Sequence, residues 1–501
     1  MKRCGIWFWR AGSVAAALAI VTPLGTAGHA EALDAGPRPN IVLILSDDED
    51  LALHDFMPKA RALLHEEGTT FENAFTSYAL CCPARASILR GQYAHNTQIM
   101  GNAPPWGGYE KFRALGHEES TIATWLQDAG YHTAMFGKYI NRYVPDRDGV
   151  PAGWTDWYVA GNAYRSYDYD LNENGRIVTY DTEPEDYLTD VMARQARGVI
   201  EKAAAAGRPF FLYVAPFTPH SPSVAAPRHE GMFADAALPT PPAFDESDIS
   251  DKPALLRELP PLDEKQIGCL EDEYRRRLAS LQAIDDMVET IVQSLDATGQ
   301  LDHTYIFYTS DNGFHLGEHR MPAGKDMPYE EDIRVPLVVR GPGVSAGGRL
   351  ELMILNIDLA PTFAALAGID PPEFVDGRSF LPLFKDPEHP WRQSFLIERR
   401  QLEMQLIDRS CLARQQLAGA AAFTALRSAK WTYVEHGTGE HEFYDLSADP
   451  YQLSNLAEVI DPVVFKALSS RLLQLAKCAA DSCRWLEDLP LGEPEERIDS
   501  F

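Results

Sequence analysis

Basic side chains are scarce in this chain of 501 residues: 45 Lys and Arg stand against 73 Asp and Glu, a formal net charge of −28. Without clustered cations nothing neutralises a phosphate backbone, which excludes nucleic acid as a partner. The same deficit makes a long polyanionic chain a poor fit unless the few cations gather in one pocket. Long apolar runs are missing too. The N-terminal run, residues 11–21, falls well short of the roughly 20 residues that span a bilayer, so no membrane anchor is expected. Cysteine is sparse, with seven residues, too few for a disulfide-built scaffold in so long a chain. Cys478 and Cys483 are close enough to pair, Cys269 and Cys411 are open, and a bridge between adjacent Cys81 and Cys82 would be strained. No internal repeat is present, which excludes a solenoid.

What remains is the composition of a soluble globular protein. Its length calls for one large domain and a smaller one, expected at residues 38–385 and 390–485, with an acidic tail over 486–501. Lys2, Arg3 and Arg10 precede the short apolar run, and Gly28-His29-Ala30 forms a small-residue cleavage site. That is the pattern of a signal peptide over residues 1–30, so a secreted or periplasmic protein is expected.

The continuous apolar run 41–45 reads as a strand covered on both faces, and 131–136, 209–215 and 304–309 read as further strands, the mark of an α/β fold with a mostly parallel sheet. Each delivers polar residues at its carboxyl end, where open α/β sheets bind their ligands. Asp47 and Asp48 follow the first, Lys138 the second, His220 the third, and Asp311 with Asn312 the fourth. Paired acids beside Glu49 and Asp50 repel one another unless a cation sits among them. His315 and His319 stand four apart, yet Gly317 between them and the oxygen-rich company favour a hard cation over zinc. Helices are expected over 57–67, 120–129, 187–206, 271–297 and 357–366, whereas 144–186 and 225–263 read as irregular connections. From residue 392 onward, shorter strands and a helix over 462–479 suit a small α+β domain.

The stretch around which these elements are arranged is Cys81-Cys82-Pro83-Ala84-Arg85. Pro83 suits the first turn of a helix, which places Cys81 at a helix N-terminus where free N–H groups favour an anion. Arg85 adds a planar, permanently charged fork matched to tetrahedral oxyanions. With the strand-end groups these residues describe a cationic pocket built around a metal.

Together with Ser310-Asp311-Asn312-Gly313-Phe314-His315-Leu316-Gly317-Glu318-His319-Arg320, this stretch resembles the type I sulfatases of the alkaline-phosphatase superfamily, nearest the glucosamine-sulfatase and heparan-sulfatase branch. The likeness runs from Pro39 to Pro450. It implies a large, mostly parallel sheet flanked by helices with a smaller C-terminal α+β domain, and hydrolysis of a sulfate ester on a sugar or an aryl group. It also implies that a separate formylglycine-generating enzyme oxidises Cys81, and that calcium is held by Asp47, Asp48, Asp311, Asn312 and the modified Cys81. Arg85, Lys138, His220 and Lys325 then line the sulfate pocket, and Asn141 and His319 bind substrate. Two positions depart from the family pattern: Ala84 stands where Ser is usual, and Ile140 where many relatives carry His, a role Asn141 covers in part. Phosphodiester or phosphonate monoester hydrolysis, and a catalytically inactive sulfate- or glycan-binding protein, are the rival readings.

Overall fold

In this computed structural model the described residues are 38–400 and 422–490. The expected signal peptide, Cys411 and the end of the tail lie outside them.

The strands in chain order are β1 (Asn40–Ser46), β2 (Thr69–Phe71), β3 (Ala74–Phe75), β4 (His132–Lys138), β5 (Asp156–Ala160), β6 (Tyr169–Glu173), β7 (Arg176–Tyr180) and β8 (Phe210–Ala215). They continue with β9 (Thr304–Ser310), β10 (Leu337–Arg340), β11 (Gly348–Leu350), β12 (Ile354–Leu355), β13 (Ser394–Arg399), β14 (Phe423–Ser428), β15 (Trp431–His436) and β16 (His441–Asp445). A ten-stranded sheet runs β11-β2-β10-β9-β1-β8-β4-β5-β6-β7. Its centre, β9-β1-β8-β4-β5, is parallel throughout, while β10, β6 and β7 join antiparallel. A mixed, mostly parallel sheet was expected, and the four strands read from apolar runs form its middle.

Every residue of β1 is buried, and alternate side chains enter different cores. Ile41, Leu43 and Leu45 pack with the helices Cys81–Arg90, Ile122–Asp128 and Leu359–Leu366. Val42 and Ile44 pack with the long helices Leu188–Ala205 and Glu264–Ala297. Because both faces are covered, a strand here needs apolar residues at every position, which is why the sequence shows runs and not alternation. The small sheet β13-β14-β15-β16 is antiparallel and packs on the helix Pro462–Leu475. Its core also takes in Phe75, Tyr93 and Ile357 from the preceding part of the chain.

Two expectations are corrected and a third is refined. Residues 144–186 are not an irregular excursion: they contain β5, β6 and β7, which extend the sheet. These strands escaped notice because β7 is largely exposed and carries no apolar run. The helix over 57–67 is present but short and uneven: Pro58–Ala60 runs without a gap into the wider π-type turn Arg61–His65, closed by Glu66 N–H on Arg61 O at 3.0 Å. The fold also reaches further than residue 485. Glu487 is buried and takes ion pairs from Arg378 and Arg392, each at 3.0 Å, so the tail begins after the helix Asp481–Asp488. Cys478 and Cys483 form a disulfide, and Cys81 and Cys82 are free.

Candidate active site

Ser46 pairs with Ser310 at the carboxyl end of the β1–β9 ladder, so the residues after both strands emerge side by side. Asp48 turns there with φ of 68°, a left-handed conformation that costs a non-glycine residue free energy and is held by its surroundings. Its own N–H donates to Asp311 Oδ1 at 3.2 Å, and its carbonyl accepts from Arg277 Nη2. The helix Cys81–Arg90 starts at the same end, with Leu80 extended as its cap, so Cys81 occupies the first position. Lys138 closes β4 and reaches Asp47 Oδ2 at 2.6 Å.

These placements bring nine of the eleven expected site residues together. Cys81 Sγ lies 3.4 Å from Asp47 Oδ1, 3.8 Å from Asp48 Oδ1 and 2.7 Å from Lys325 Nζ. Lys325 also contacts Asp48 Oδ1. Arg85 spans the floor: Nε donates to Asp311 Oδ2 at 2.8 Å and Nη1 to the Lys138 carbonyl at 2.7 Å, while Nη2 is buried without a partner. His220 Nε2 is 3.5 Å from Asp48 Oδ2, and its Nδ1 donates to Ser221 O at 2.7 Å. Asn312 Nδ2 donates to Asp48 Oδ1 at 2.8 Å, leaving its Oδ1 buried and unpartnered. Tyr164, which sequence reasoning missed, faces both Lys138 at 5.2 Å and the His220 ring at 4.5 Å.

Two expected residues stand differently. Asn141 follows Lys138 closely; its carbonyl accepts from Tyr109 N–H at 2.8 Å, and its Oδ1 is buried without a partner. His319 is not brought to the cluster. It is fully buried, with Nδ1 on Glu246 Oε2 at 2.6 Å and its ring against Tyr329 at 4.3 Å. Ile140 belongs to the hydrophobic core, so its side chain is spent on packing. Arg277 is a second residue the sequence concealed, because it sits inside the apolar stripe of the helix Glu264–Ala297. It is wholly buried and pairs with Asp50 Oδ2 at 3.1 Å.

Burial alone would raise the Asp47 carboxyl, but Lys138, His220 and Arg85 outweigh it and hold the group well below the usual range. Asp311 behaves oppositely: burial, with Asp47 nearby, exceeds the pull of Arg85 and brings it up to about 6. Burial pushes the Cys81 thiol far up, so the unmodified side chain is a poor nucleophile at neutral pH. Lys325 is desolvated, yet Asp48 more than compensates and keeps it charged.

Three carboxyls thus face three permanent cations. One atom from each of Asp47, Asp48, Cys81 and His220 lies within 4.8 Å of the others, a spacing that fits a single ion. The supply of carboxylate oxygens and the unpartnered Asn312 Oδ1 fit a hard divalent cation. With it, the pocket would carry an excess of positive charge suited to a sulfuryl or phosphoryl group.

The sulfatase family model matches residues 39–369. Human N-acetylglucosamine-6-sulfatase is 35% identical over 475 residues, covering 89% of this chain and 86% of its own. The arylsulfatase of Volvox carteri is 33% identical over 496 residues, covering 89% and 76%. A solved structure described as a complex with its substrate D-glucosamine-2-N,6-O-disulfate superposes with a TM-score of 0.72 at 23% identity, over 92% of this chain and 100% of that one. The phosphonate monoester hydrolase of Silicibacter pomeroyi gives 0.65 at 24%, over 87% and 94%. At such identities the likeness of structures speaks for the fold alone. The family match and the relatives at a third identity go further, and this chain belongs to the sulfatase family of sulfuric ester hydrolases.

Proposed function

We propose that this sulfatase releases inorganic sulfate from a sulfated amino sugar outside the cytoplasm, using formylglycine made from Cys81 beside a calcium ion. The observation that carries the reading is the position of Cys81 Sγ, at a helix N-terminus and in contact with Lys325, Asp47 and Asp48 at once. The relatives' names support the amino sugar, and the charged start and short apolar run of residues 2–21 support export. Among the described residues no helix is long and apolar enough to cross a membrane.

Asp47, Asp48, Asp311 and Asn312 would hold the calcium, which supplies Lewis acidity, and formylglycine supplies a hydrated aldehyde as nucleophile. The remaining roles belong to the chain's own side chains. Arg85, fixed at Nε and Nη1, keeps Nη2 for a sulfuryl oxygen. Lys138, held by Asp47, adds a second charge. Lys325 stays protonated beside residue 81 and gives a proton to the departing alcohol. His220 has its Nδ1 proton committed to Ser221 O, so Nε2 is left to accept one.

The test is sulfate release from glucosamine 6-sulfate, compared with an aryl sulfate and a phosphonate monoester, with and without calcium chelation. The reading expects the sulfate esters to turn over, the phosphonate to lag, and chelation to abolish activity reversibly. Faster phosphonate cleavage would favour the rival hydrolase, and no turnover of any ester would favour a binding protein.

A further inference from the structure

Beside the catalytic cluster, two cations stand over one aromatic ring. Arg400 lays its guanidinium on Trp106, with Cζ 3.3 Å from the ring centroid, and Lys111 Nζ approaches the same ring at 5.7 Å. Among the described residues neither side chain enters an ion pair, although the chain carries a large excess of acids. The arrangement is strained by charge. Partial burial and the neighbouring Arg400 both push Lys111 below the usual lysine range.

Hydrogen bonds tie this group to both sides of the active site. Cys82 N–H donates to Asn102 Oδ1 at 3.0 Å, and the loop that contains Asn102 closes with Met100 N–H on Trp106 O at 2.7 Å. Tyr78 Oη donates to Met100 O at 2.8 Å and accepts from Arg400 N–H at 3.0 Å. From the other side, Arg399 Nε reaches Asp326 Oδ2 at 2.9 Å, one residue beyond Lys325. The turn that carries Trp106 and the backbone of residue 400 are therefore tied to the neighbourhood of residue 82, and the adjoining Arg399 to that of residue 325.

We propose that Trp106, Lys111 and Arg400 form a subsite for a second anionic group, a sulfate or carboxylate, on the sugar that carries the ester sulfate. The inference rests on the sugar-sulfate reading above and adds what that reading leaves open, a requirement for a second charge. A guanidinium stacked flat on indole covers one face and turns its N–H edge outward, where it can grip an oxyanion with two parallel bonds. The stacking also fixes the long side chain in advance, so less rotamer freedom is lost on binding. Lys111 supplies a compact charge beside it. An arriving anion relieves the mutual repulsion of the two cations, whereas an uncharged hydroxyl does not.

The experiment uses the full-length enzyme with a nitrophenyl sulfate as reporter. Glucosamine 6-sulfate and glucosamine 2-N,6-O-disulfate are compared as inhibitors of reporter turnover and as sources of released sulfate. The proposal expects the disulfate to be preferred by about tenfold, the worth of one charge-assisted contact. That ratio should shrink towards one in Arg400→Ala and in Lys111→Ala, and survive in part in Arg400→Lys. A wild-type ratio near one, or a ratio kept in both alanine variants, overturns it. If the inhibition ratio holds but neither sugar loses sulfate, the sugar-hydrolysis reading fails and the subsite stands. If both sugars are hydrolysed with no preference, the subsite fails and that reading stands.

Discussion

Arg85 carries more of the site than any other single side chain. It is fully buried, bonds Asp311 with one nitrogen and the Lys138 carbonyl with another, and so joins two strand ends to the helix Cys81–Arg90. Lys at this position keeps the charge but cannot reach both partners, because an ammonium lacks the planar fork. Leaving a buried carboxylate without its partner costs about 3–5 kcal/mol. Arg85→Lys is accordingly predicted to lose most aryl sulfate turnover and to melt several degrees lower, as read by activity assay and thermal unfolding; unchanged melting would remove Arg85 from its structural role. Arg85 was legible beforehand because it stands four residues from Cys81 in one contiguous motif. Arg277 was not, although it holds the Asp48 carbonyl: its neighbours Leu278 and Leu281 make that helix face read as plain core.

Strand ends decide where the catalytic groups point, and β4 shows how tightly. Gly137 has φ of +84°, and a Cβ there would sit 2.2 Å from the Ala215 carbonyl of β8 and 2.7 Å from Met192. Gly137→Ala must push the two strands apart one residue before Lys138. We predict a loss of at least about 2 kcal/mol in denaturant unfolding, together with a fall in kcat as Lys138 shifts from Asp47. A variant of wild-type stability would show that the strands yield. A second element-level device is His95, whose Nδ1 meets Glu398 Oε1 at 2.7 Å and whose Nε2 meets Cys478 O at 2.9 Å. Burial disfavours its charge, but Glu398 and the carbonyl outweigh burial and raise it from 6.5 to about 9. The folded state therefore binds this proton more tightly than the unfolded chain. Its contribution is complete below about pH 6.5 and disappears as pH rises through about 9, a decline of no more than about 3 kcal/mol. In His95→Gln that decline should flatten, and an unaltered pH profile of unfolding would contradict the assignment. The central strands were legible from their continuous apolar runs, since both faces are covered. The antiparallel strands β6 and β7 were not, because an edge strand such as β7 faces solvent and needs no such run.

Across the chain as a unit, the described residues from Pro39 to the helix Asp481–Asp488 form one body, in which the small sheet has its own core beside the two cores of the large one. The expected small C-terminal domain is present as a separate antiparallel sheet from residue 394, and Phe75 and Tyr93 from the N-terminal half join its core. Composition correctly pointed to the dominant problem of such a chain, a surplus of 28 negative charges around a site for an anion. The fold meets it locally, by bringing Arg85, Lys138 and Lys325 to one end of the sheet. What composition could not disclose is that the thiol at the centre of those cations is buried and strongly disfavoured as thiolate. In the mechanism proposed above that side chain acts as formylglycine, not as a thiolate. The direct measurement is the mass of the peptide containing residue 81 from catalytically active protein, with Cys81→Ser assayed beside it. The account predicts a peptide lighter by the replacement of CH2SH with an aldehyde, trapped by a carbonyl reagent, and no sustained turnover in the serine variant. An intact, alkylatable thiol at residue 81 in fully active enzyme would contradict it.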